Sequence, residues 1–481
     1  MVMSPNELIY IALLGVGVVG VLVLGEVLRR RTKLNQEVTR KFVHIFAGFA
    51  ALPMPFVFST HWPVLLLTGS FLLIIIITGR LKSLQSVHGV ERNSAGAYLY
   101  PMSIYLLFVL AGDRPLFFII PMLVLLFSDS LAAVIGKTYG LIHYRVGEGQ
   151  RSLEGSIVFF IVAFVLIHAL ILLSNSTGRV ESLLIAFILA VLITGFEAIS
   201  GGGWDNLYIP LSTFFFLEHL VVLSTPQILP LVGFVIILAG ICALPYTYKQ
   251  LTISGAIEVF LIGMMFVILG GIHWILPVMG VYVMYRLPSF GFREIRTAVV
   301  DPTRPLHKGR RVISLNFPLL VCVLMNSYSD QAFWYQAYLV GIGGQLGLLW
   351  NGQFDASRGL MYSERLDVNF QHVMNSLVSV ALALIYYYFF GPEAMGITGY
   401  VVMGFLALLP FYLQRIYTAK FQYVGTCQVC GFHGDRTEHC DKPTTYLRGY
   451  EGVTHDQGML IVISISMVSW LIYNQIWLGS F

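Results

Sequence analysis

Long runs of apolar residues, separated by short polar segments, recur along the whole chain and constrain its fold more than any other feature. Only 11% of the 481 residues are charged and 57% are hydrophobic, whereas a soluble domain carries about a quarter charged residues. So few charges cannot cover a water-facing surface, which excludes soluble, fibrous and disordered chains. The runs predict an all-α fold, a polytopic transmembrane helical bundle of about 14–16 spans in two halves, at about 20 residues a span.

The basic residues indicate how these spans are oriented. The first run, about residues 8–28, is too long for a signal peptide and is predicted to be a retained span. A basic cluster at 29–41 follows it, and Lys and Arg collect on the cytoplasmic side, so we expect the N-terminus outside. Alternation then places the basic loops on the inner side, at 80–92, 137–151, 286–311 and 415–448. We therefore expect a multi-pass integral membrane protein.

Four polar clusters lie at or near the predicted cytoplasmic span ends of the first half, at 37–44, 91–96, 128–156 and 197–206. A carboxylate or histidine at such a depth costs a few kcal/mol unless it is paired or hydrated. One interpretation is that inner loops are simply polar and positive. That rule accounts only for Lys and Arg, whereas these clusters also hold Gly, Asp and Glu. They favour a site on the cytoplasmic face for an anionic, water-soluble substrate.

The cluster at 128–156 has the composition of a phosphate-binding segment. We expect Gly136 and Gly140 to break the helix and free backbone N–H groups. Lys137 and Arg151 add positive charge, and the next span opens directly after Arg151. Glycine loops, helix N-termini and basic side chains together bind phosphate groups.

Two carboxylates of this cluster, Asp129 and Glu154, are candidates for holding Mg²⁺, which prefers oxygen ligands. The alternative is a glycine-containing loop whose Asp and Arg side chains pair with each other. The spacing alone does not separate these two interpretations, because glycine-rich loops are common.

Segment 128–156 resembles the signature of the CTP-dependent polyprenol kinase family, which includes the dolichol, phytol and farnesol kinases. That signature runs Gly-Asp-x-x-Ala-x-x-x-Gly-x-x-x-Gly and then Lys-Thr-x-Glu-Gly-Ser. The chain departs from it at Ser128 and at Gln150-Arg151-Ser152. The other clusters are similar to further family motifs in the same order: Arg40-Lys41-x-x-His44-x-x-x-Gly48, then Glu91-Arg92-x-Ser94-x-Gly96, then Glu197 with Asp205-Asn206 and Pro210. We expect residues 1–222 to form a polyprenol or phytol kinase-like transmembrane domain.

The resemblance implies transfer of the γ-phosphoryl group of CTP, with Mg²⁺, to the hydroxyl of an isoprenoid alcohol of the phytol, farnesol, geranylgeraniol or dolichol type. It implies that Asp129 binds Mg²⁺ or orients the hydroxyl, with Asp205 as the alternate. His44 is a candidate general base, although a histidine at a span start is as often an interfacial hydrogen-bonding residue. The candidate contacts to the nucleotide, its phosphates or its metal are Arg40, Lys41, Arg92, Gly136, Lys137, Gly140, Arg151, Ser152, Glu154, Gly155, Ser156 and Asn206.

The second half, residues 228–481, resembles the membrane family that includes phytyl-phosphate kinase. The resemblance begins with Leu251-Thr-Ile-Ser-Gly255-Ala, which is similar to that family's opening motif. The family's central Asp-Thr-x-x-Ser-Glu motif falls near 337–350, where this chain has no carboxylate. We therefore expect a degenerate partner domain with a scaffolding or substrate-channelling role.

A Cys/His-rich cytoplasmic loop is predicted at 415–455. Its candidate Zn²⁺ ligands are Cys427, Cys430, His439 and Cys440, a set of soft and borderline donors that suits tetrahedral zinc. The alternative is reduced, unliganded cysteine in a turn. Cys242 and Cys322 lie in apolar runs and are predicted to be small core residues.

Two other classes of function fit parts of the pattern. A CTP-dependent phospholipid cytidylyltransferase would use a similar nucleotide site, and a multi-span transporter would fit the number of spans. Charges are scarce at span midpoints, which argues against transport. The net charge of +4 reflects cytoplasmic loops, so no nucleic-acid partner is expected. The expected partners are an isoprenoid alcohol in the bilayer, a nucleoside triphosphate and membrane lipids.

Overall fold

The computed structural model describes residues 5–31, 36–81, 95–146, 149–247, 252–280, 309–329, 334–343, 425–427, 433–434, 446–448, 464 and 467. The chain forms two compact units, one of residues 1–244 with 256–261 and one of residues 245–255 with 262–481. The division predicted between residues 222 and 228 stays a prediction.

The first unit is a helical bundle with one small hairpin. Its elements are α1 (Pro5–Arg31), α2 (Gln36–Ala51), α3 (Met54–Val57), α4 (His61–Arg80), α5 (Gly96–Ala111), α6 (Pro115–Leu123), a π-helical segment (Val124–Ser128), α7 (Asp129–Tyr139), β1 (His143–Val146), β2 (Gly149–Ser152), α8 (Leu153–Leu173), α9 (Arg179–Ile199), α10 (Asp205–Leu220) and residues 225–244 of α11 (Thr225–Thr247). The all-α fold predicted from the apolar runs is confirmed.

Seven helices among the described residues are long and apolar enough to cross a membrane. They are α1, α4, the continuous helix Pro115–Tyr139, α8, α9, residues 225–243 of α11 and α12 (Ile253–Gly270). The apolar run at 42–59 predicts a single span, but α2 ends at Ala51 and the short α3 follows. Pro53 and Pro55 lie at this break, and proline has no N–H for the helical ladder.

The helix Pro115–Tyr139 lies at the centre of the first unit. Met122, Val124, Leu125 and Leu126 have no solvent exposure, and α2, α5, α8 and α10 all contact this helix. Its π-helical turn ends at Ser128, directly before Asp129. Such turns are rare and frequently occur at functional sites.

The hairpin β1–β2 connects α7 to α8 and sets the position of Arg151. The strands are antiparallel, with Tyr144 opposite Arg151. Ser152 then caps α8, because its side-chain oxygen accepts a hydrogen bond from the backbone N–H of Gly155. The next helix therefore begins where the sequence predicted, with Glu154 in its first turn.

The described part of the second unit includes most of α12, residues 272–280, α13 (Gly309–Ser329) and residues 334–343. A three-stranded sheet joins β3 (Gly425–Cys427) to β4 (His433–Gly434) and β5 (Tyr446–Arg448) in the order β4–β3–β5. Of the predicted zinc ligands, only the backbone of Cys427 is described; Cys430, His439 and Cys440 lie outside the described residues, as does Arg92. Cys242 and Cys322 are buried, as predicted.

Candidate active site

A buried ion pair joins α2 to the start of α7. The ammonium group of Lys41 donates a hydrogen bond to Oδ2 of Asp129. Lys41 is only 7% exposed and Asp129 only 3%. Charges removed from water in this way are stable only when they compensate each other. The pair therefore connects the polar cluster at 37–44 to the cluster at 128–156.

Arg151 connects the hairpin to the end of α9 and the start of α10. Its Nη1 lies 2.8 Å from Oε1 of Glu197, and its Nη2 lies 3.6 Å from Oδ2 of Asp205. Nη2 also donates to the backbone carbonyls of Glu197, at 3.3 Å, and Ser200, at 2.9 Å. Burial opposes the charge of Arg151, but the carboxylates of Glu197 and Asp205 raise its pKa above the ordinary value. The guanidinium is therefore charged at every physiological pH.

These two pairs belong to one polar region, which we call the ion-pair cluster: Lys41, Asp129, Arg151, Glu197 and Asp205. Asp205 interacts electrostatically with Asp129, Lys41 and Arg151, and Glu197 interacts with Asp129 and Lys41. Arg40 also contributes to the field at Asp205. Basic groups and carboxylates therefore meet inside an otherwise apolar bundle.

The start of α10 is fixed by contacts with the start of α5. Asn206 donates a side-chain hydrogen bond to the carbonyl of Gly96 at 2.9 Å, and the N–H of Ala95 donates to the carbonyl of Gly202 at 2.8 Å. Gly202 and Gly203 have φ of 63° and 87°, a region that side chains disfavour and glycine adopts freely. The polar cluster at 197–206 is thereby held against the end of the cluster at 91–96.

His44 lies one helical turn from Lys41 on the same face of α2. Its ring packs on Tyr100, with centroids 4.2 Å apart, and the Tyr100 hydroxyl donates to the His44 carbonyl at 3.1 Å. Among the described residues, no hydrogen-bond partner reaches the buried Nε2 of His44. A Cβ at Gly48 would overlap with the Tyr100 hydroxyl and with Leu126, so this glycine permits the close packing that holds Tyr100 in place.

The glycines of the 128–156 segment pack two helices together. We call Gly136, Gly140, Ser152 and Gly155 the glycine contact. A Cβ at Gly136 would lie 2.7 Å from Oγ of Ser152 and 3.2 Å from Cα of Gly155. The expectation that Gly136 breaks the helix is wrong, because α7 continues through it to Tyr139. The backbone N–H of Gly136 therefore lies within a helix, where the i–4 carbonyl is its usual partner.

The two candidate magnesium ligands have different surroundings. Asp129 is buried against Lys41, whereas the exposed carboxylate of Glu154 accepts hydrogen bonds from the backbone N–H of Ile142 at 3.1 and 3.4 Å. Among the described residues, no group of three or more His, Cys, Asp or Glu side chains is arranged to hold a metal ion. The alternative in which the Asp and Arg of this segment pair with each other is also wrong, since Asp129 pairs with Lys41 and Arg151 with Glu197 and Asp205.

The remaining predicted residues lie around the cluster. Lys137 is exposed in the last turn of α7, eight residues beyond Asp129, which is about 12 Å along the axis. Oγ of Ser156 lies 2.7 Å from the Tyr144 hydroxyl oxygen, and Arg40 is half-buried on α2.

Two residues of the region had no assigned role from sequence. Glu197 is 4% exposed and holds Arg151, and Tyr100 holds His44. A signal for Glu197 was present, because a carboxylate at the end of an apolar run requires a partner. Tyr100 gave none, since tyrosine is common in membrane spans.

The chain is similar to the phytol kinase of Synechocystis sp., with 34% identity over 198 residues, which cover 40% of this chain and 83% of that protein. No protein-family model matches the chain. No solved structure matches it either.

Proposed function

The chain belongs to the phytol kinase family, and from this premise we propose that it transfers the γ-phosphoryl group of CTP to the hydroxyl of an isoprenoid alcohol. It is a lipid kinase with an alcohol acceptor. The observation that carries the proposal is the ion-pair cluster, where basic groups and carboxylates from α2, α7, the hairpin, α9 and α10 meet. Phosphoryl transfer depends mainly on positioning and on charge stabilisation, and such a cluster supplies both.

The predicted topology places this cluster toward the cytoplasmic side. In that predicted topology, α2 and α10 begin on the cytoplasmic side and α9 ends on it. A nucleotide reaches such a site from the cytosol, while the alcohol arrives from the bilayer. We therefore propose a site on the cytoplasmic face at which the two substrates meet.

Lys41 is our first candidate for the nucleotide phosphates. An ammonium group has three N–H donors, and one of them contacts Asp129. The remaining donors can contact phosphate oxygens while the pair with Asp129 persists. Arg40, Arg92 and Lys137 are further candidates from the sequence.

His44 is our candidate for the proton acceptor. The alcohol oxygen attacks the γ-phosphorus, the bond from this phosphorus to the β–γ bridging oxygen breaks, and CDP leaves with that electron pair. The hydroxyl proton moves to Nε2 of His44, an atom that is buried without a hydrogen-bond partner among the described residues. A base within reach of the hydroxyl contributes typically about 10²–10⁴-fold to such a step.

Asp129 and Asp205 fit magnesium by the chemistry of their oxygen donors. Mg²⁺ is usually bound through one or two carboxylates together with phosphate oxygens and water, so a preformed set of three protein ligands is not required. When bound, the ion would neutralise phosphate charge. We propose that Asp129 holds it or orients the hydroxyl, with Asp205 as the alternate.

Arg151 is our candidate for a positioning residue. Its described contacts go to Glu197, Asp205 and two backbone carbonyls, so it holds both carboxylates in place. The contact to phosphate predicted from the sequence remains the alternative.

For residues 228–481 we propose a scaffolding role. Ala337, Tyr338, Leu339 and Val340 are fully buried, at the position where the related membrane family carries its Asp and Glu motif. Buried apolar side chains supply packing there and no ligand for a nucleotide.

Labelled CTP tests the proposed function directly. Membranes containing the full chain are incubated with phytol, farnesol, geranylgeraniol or dolichol and with CTP labelled at the γ- or the α-phosphorus. We expect lipid-bound label only from the γ-position, and competition by unlabelled ATP, GTP and UTP tests the choice of nucleotide. Label from the α-position would instead indicate a cytidylyltransferase, and no label from either would contradict the kinase proposal.

A further inference from the structure

An apolar cavity of about 250 Å³ lies between α1, α2, α4 and α5. Aliphatic side chains from all four helices line it, among them Val18, Ala47, Leu67, Ile74 and Ile104. The wall also holds the polar side chains of Thr68, Ser70 and Tyr100; the Thr68 hydroxyl donates to the carbonyl of Val64 and the Tyr100 hydroxyl to that of His44. The chemistry of this cavity therefore suits hydrocarbon.

One end of the cavity adjoins the candidate active site. Tyr100 is part of the cavity wall, and its ring and hydroxyl contact His44. His44 lies three residues after Lys41, the partner of Asp129. The polar and apolar regions are therefore continuous through the Tyr100–His44 contact.

Helix α2 runs from the ion-pair cluster to the cavity. Lys41, His44, Ala47 and Ala51 follow one another at spacings of three and four residues, so they share one face. Ala47 and Ala51 line the cavity, and the distance from Lys41 to Ala51 is about 15 Å along the axis. Because α2 begins on the predicted cytoplasmic side, the cavity lies deeper in the membrane than the charges.

We propose that this cavity binds the prenyl chain of the alcohol substrate and places its hydroxyl at His44 and Asp129. This inference rests on the proposed kinase function and adds to it the part of the protein that recognises the lipid. A prenyl alcohol has one hydroxyl at the end of a branched hydrocarbon chain, which matches an apolar cavity that adjoins a polar cluster at one end. The width and length of the cavity then decide which chain lengths are accepted.

Gly15 on α1 is the best position for a test. It lines the cavity, and a Cβ there would meet only Leu67, at an ordinary 3.9 Å. A Cβ at this position therefore fits without moving the backbone, and the rest of the leucine side chain in Gly15→Leu takes up space in the cavity. Gly17→Leu is the matched control, because Gly17 lies on the same helix outside the cavity, with nothing within 4 Å of an added Cβ.

The measurement is kcat/KM for geraniol, farnesol and geranylgeraniol with the full chain in membranes, normalised to protein abundance. We expect Gly15→Leu to lower kcat/KM for the longest alcohol at least about tenfold relative to the shortest, since one methylene of misfit in a pocket costs about 10–200-fold. The KM for CTP of Gly15→Leu should equal that of the parent. For the control Gly17→Leu, kcat/KM for all three alcohols and the KM for CTP should equal the parental values. An unchanged chain-length profile in Gly15→Leu, beside an active parent, would refute the cavity proposal and leave the kinase function intact. A parent that phosphorylates no alcohol would refute both.

Leu67→Ala gives a second reading with the opposite sign. It enlarges the same cavity, so we expect kcat/KM for the longest alcohol to rise relative to kcat/KM for the shortest. This variant tests the proposal even if Gly15→Leu fails to accumulate in membranes. A preference for shorter alcohols in Leu67→Ala would contradict the assignment.

Discussion

The ion-pair cluster and the glycine contact arise in part from the same 29-residue stretch, 128–156, yet they have different tasks. In the cluster, Asp129 and Arg151 find their partners on other helices. In the glycine contact, α7 and α8 approach so closely that an added methyl group would meet backbone atoms. From the sequence, Lys41, Arg151 and the glycines were predicted to contact the nucleotide or its phosphates, and Asp129 and Asp205 to serve the metal or the hydroxyl. In the structure the charged side chains pair with one another across helices, and the glycines allow two helices to pack closely.

The difference follows from how each residue type acts. A charged side chain in a medium of low dielectric interacts over several ångströms and must be compensated. A glycine acts only at its own position, by leaving space. The same motif can therefore specify both a site and the helix contact that supports it. The predictions below separate these two tasks, beginning with the largest effect.

Asp129→Asn should cause the largest loss. We expect turnover to fall at least about 10²-fold, or about 2.7 kcal/mol of barrier, because the variant removes a charge from the reacting region. It also leaves Lys41 buried without its counter-ion, and breaking such a pair typically costs about 3–5 kcal/mol. Phosphorylation of the alcohol and thermal unfolding in detergent measure the two effects.

The double variant Lys41→Gln with Asp129→Asn isolates the effect on stability. It removes both buried charges, so we expect thermal stability to recover toward the parent, while turnover stays low because both residues belong to the proposed site. Recovery of turnover would show that Asp129 serves only as a counter-ion.

Arg151 variants test positioning against direct phosphate contact. Arg151→Ala leaves the buried Glu197 unpaired, so we expect lower stability and lower kcat, with a KM for CTP within about twofold of the parent. Arg151→Lys should be intermediate, because an ammonium keeps the charge but lacks the planar fork. A rise in the KM for CTP in both variants would favour the phosphate contact instead.

Arg145→Ala is the matched control for Arg151. Arg145 is an exposed base on β1 of the same hairpin, so its loss removes the same cytoplasmic charge. We expect parental kinetics and abundance; a loss equal to that of Arg151→Ala would mean that both arginines only set the topology.

Gly136→Ala should affect stability more than catalysis. The added Cβ meets Ser152 and Gly155, and overpacking of this kind costs about 1–3 kcal/mol. We expect a lower unfolding temperature and normal turnover per folded molecule. Gly69→Ala on α4 is the control, since nothing lies within 4 Å of its Cβ; it should leave stability unchanged or raise it slightly. If Gly136→Ala has normal stability but binds CTP poorly, the phosphate contact predicted from the sequence for Gly136 would be supported instead.

Glu154→Gln should have the smallest effect. The side chain is exposed and accepts from the Ile142 N–H, which the amide oxygen of glutamine can also do. We expect parental turnover and an unchanged Mg²⁺ concentration for half-maximal activity. A clear increase in that concentration would support the magnesium role predicted from the sequence.

Much of this molecule could be predicted from local properties of the chain. The apolar runs at 62–79 and 181–199, for example, predict two spans whose ends agree with those of α4 and α9 to within about two residues. Ser152 and Glu154 indicated the start of α8 because capping depends on neighbouring residues. The break after Ala51 and the π-helical turn before Asp129 were not predicted. The π-helical turn packs against α2, α8 and α10, contacts that no local pattern contains.

The membrane class, the helical fold and the polar clusters follow from the amino-acid sequence alone, because hydropathy and charge are properties of each residue and its neighbours. Which charged side chains form ion pairs depends on the tertiary structure. Lys41 and Asp129 are 88 residues apart, and Arg151 and Glu197 are 46 apart. The tertiary structure also decided that Gly136 faces α8 and that α1, α2, α4 and α5 enclose a cavity. Compensation of buried charge and close packing depend on distances in space, which no local pattern contains.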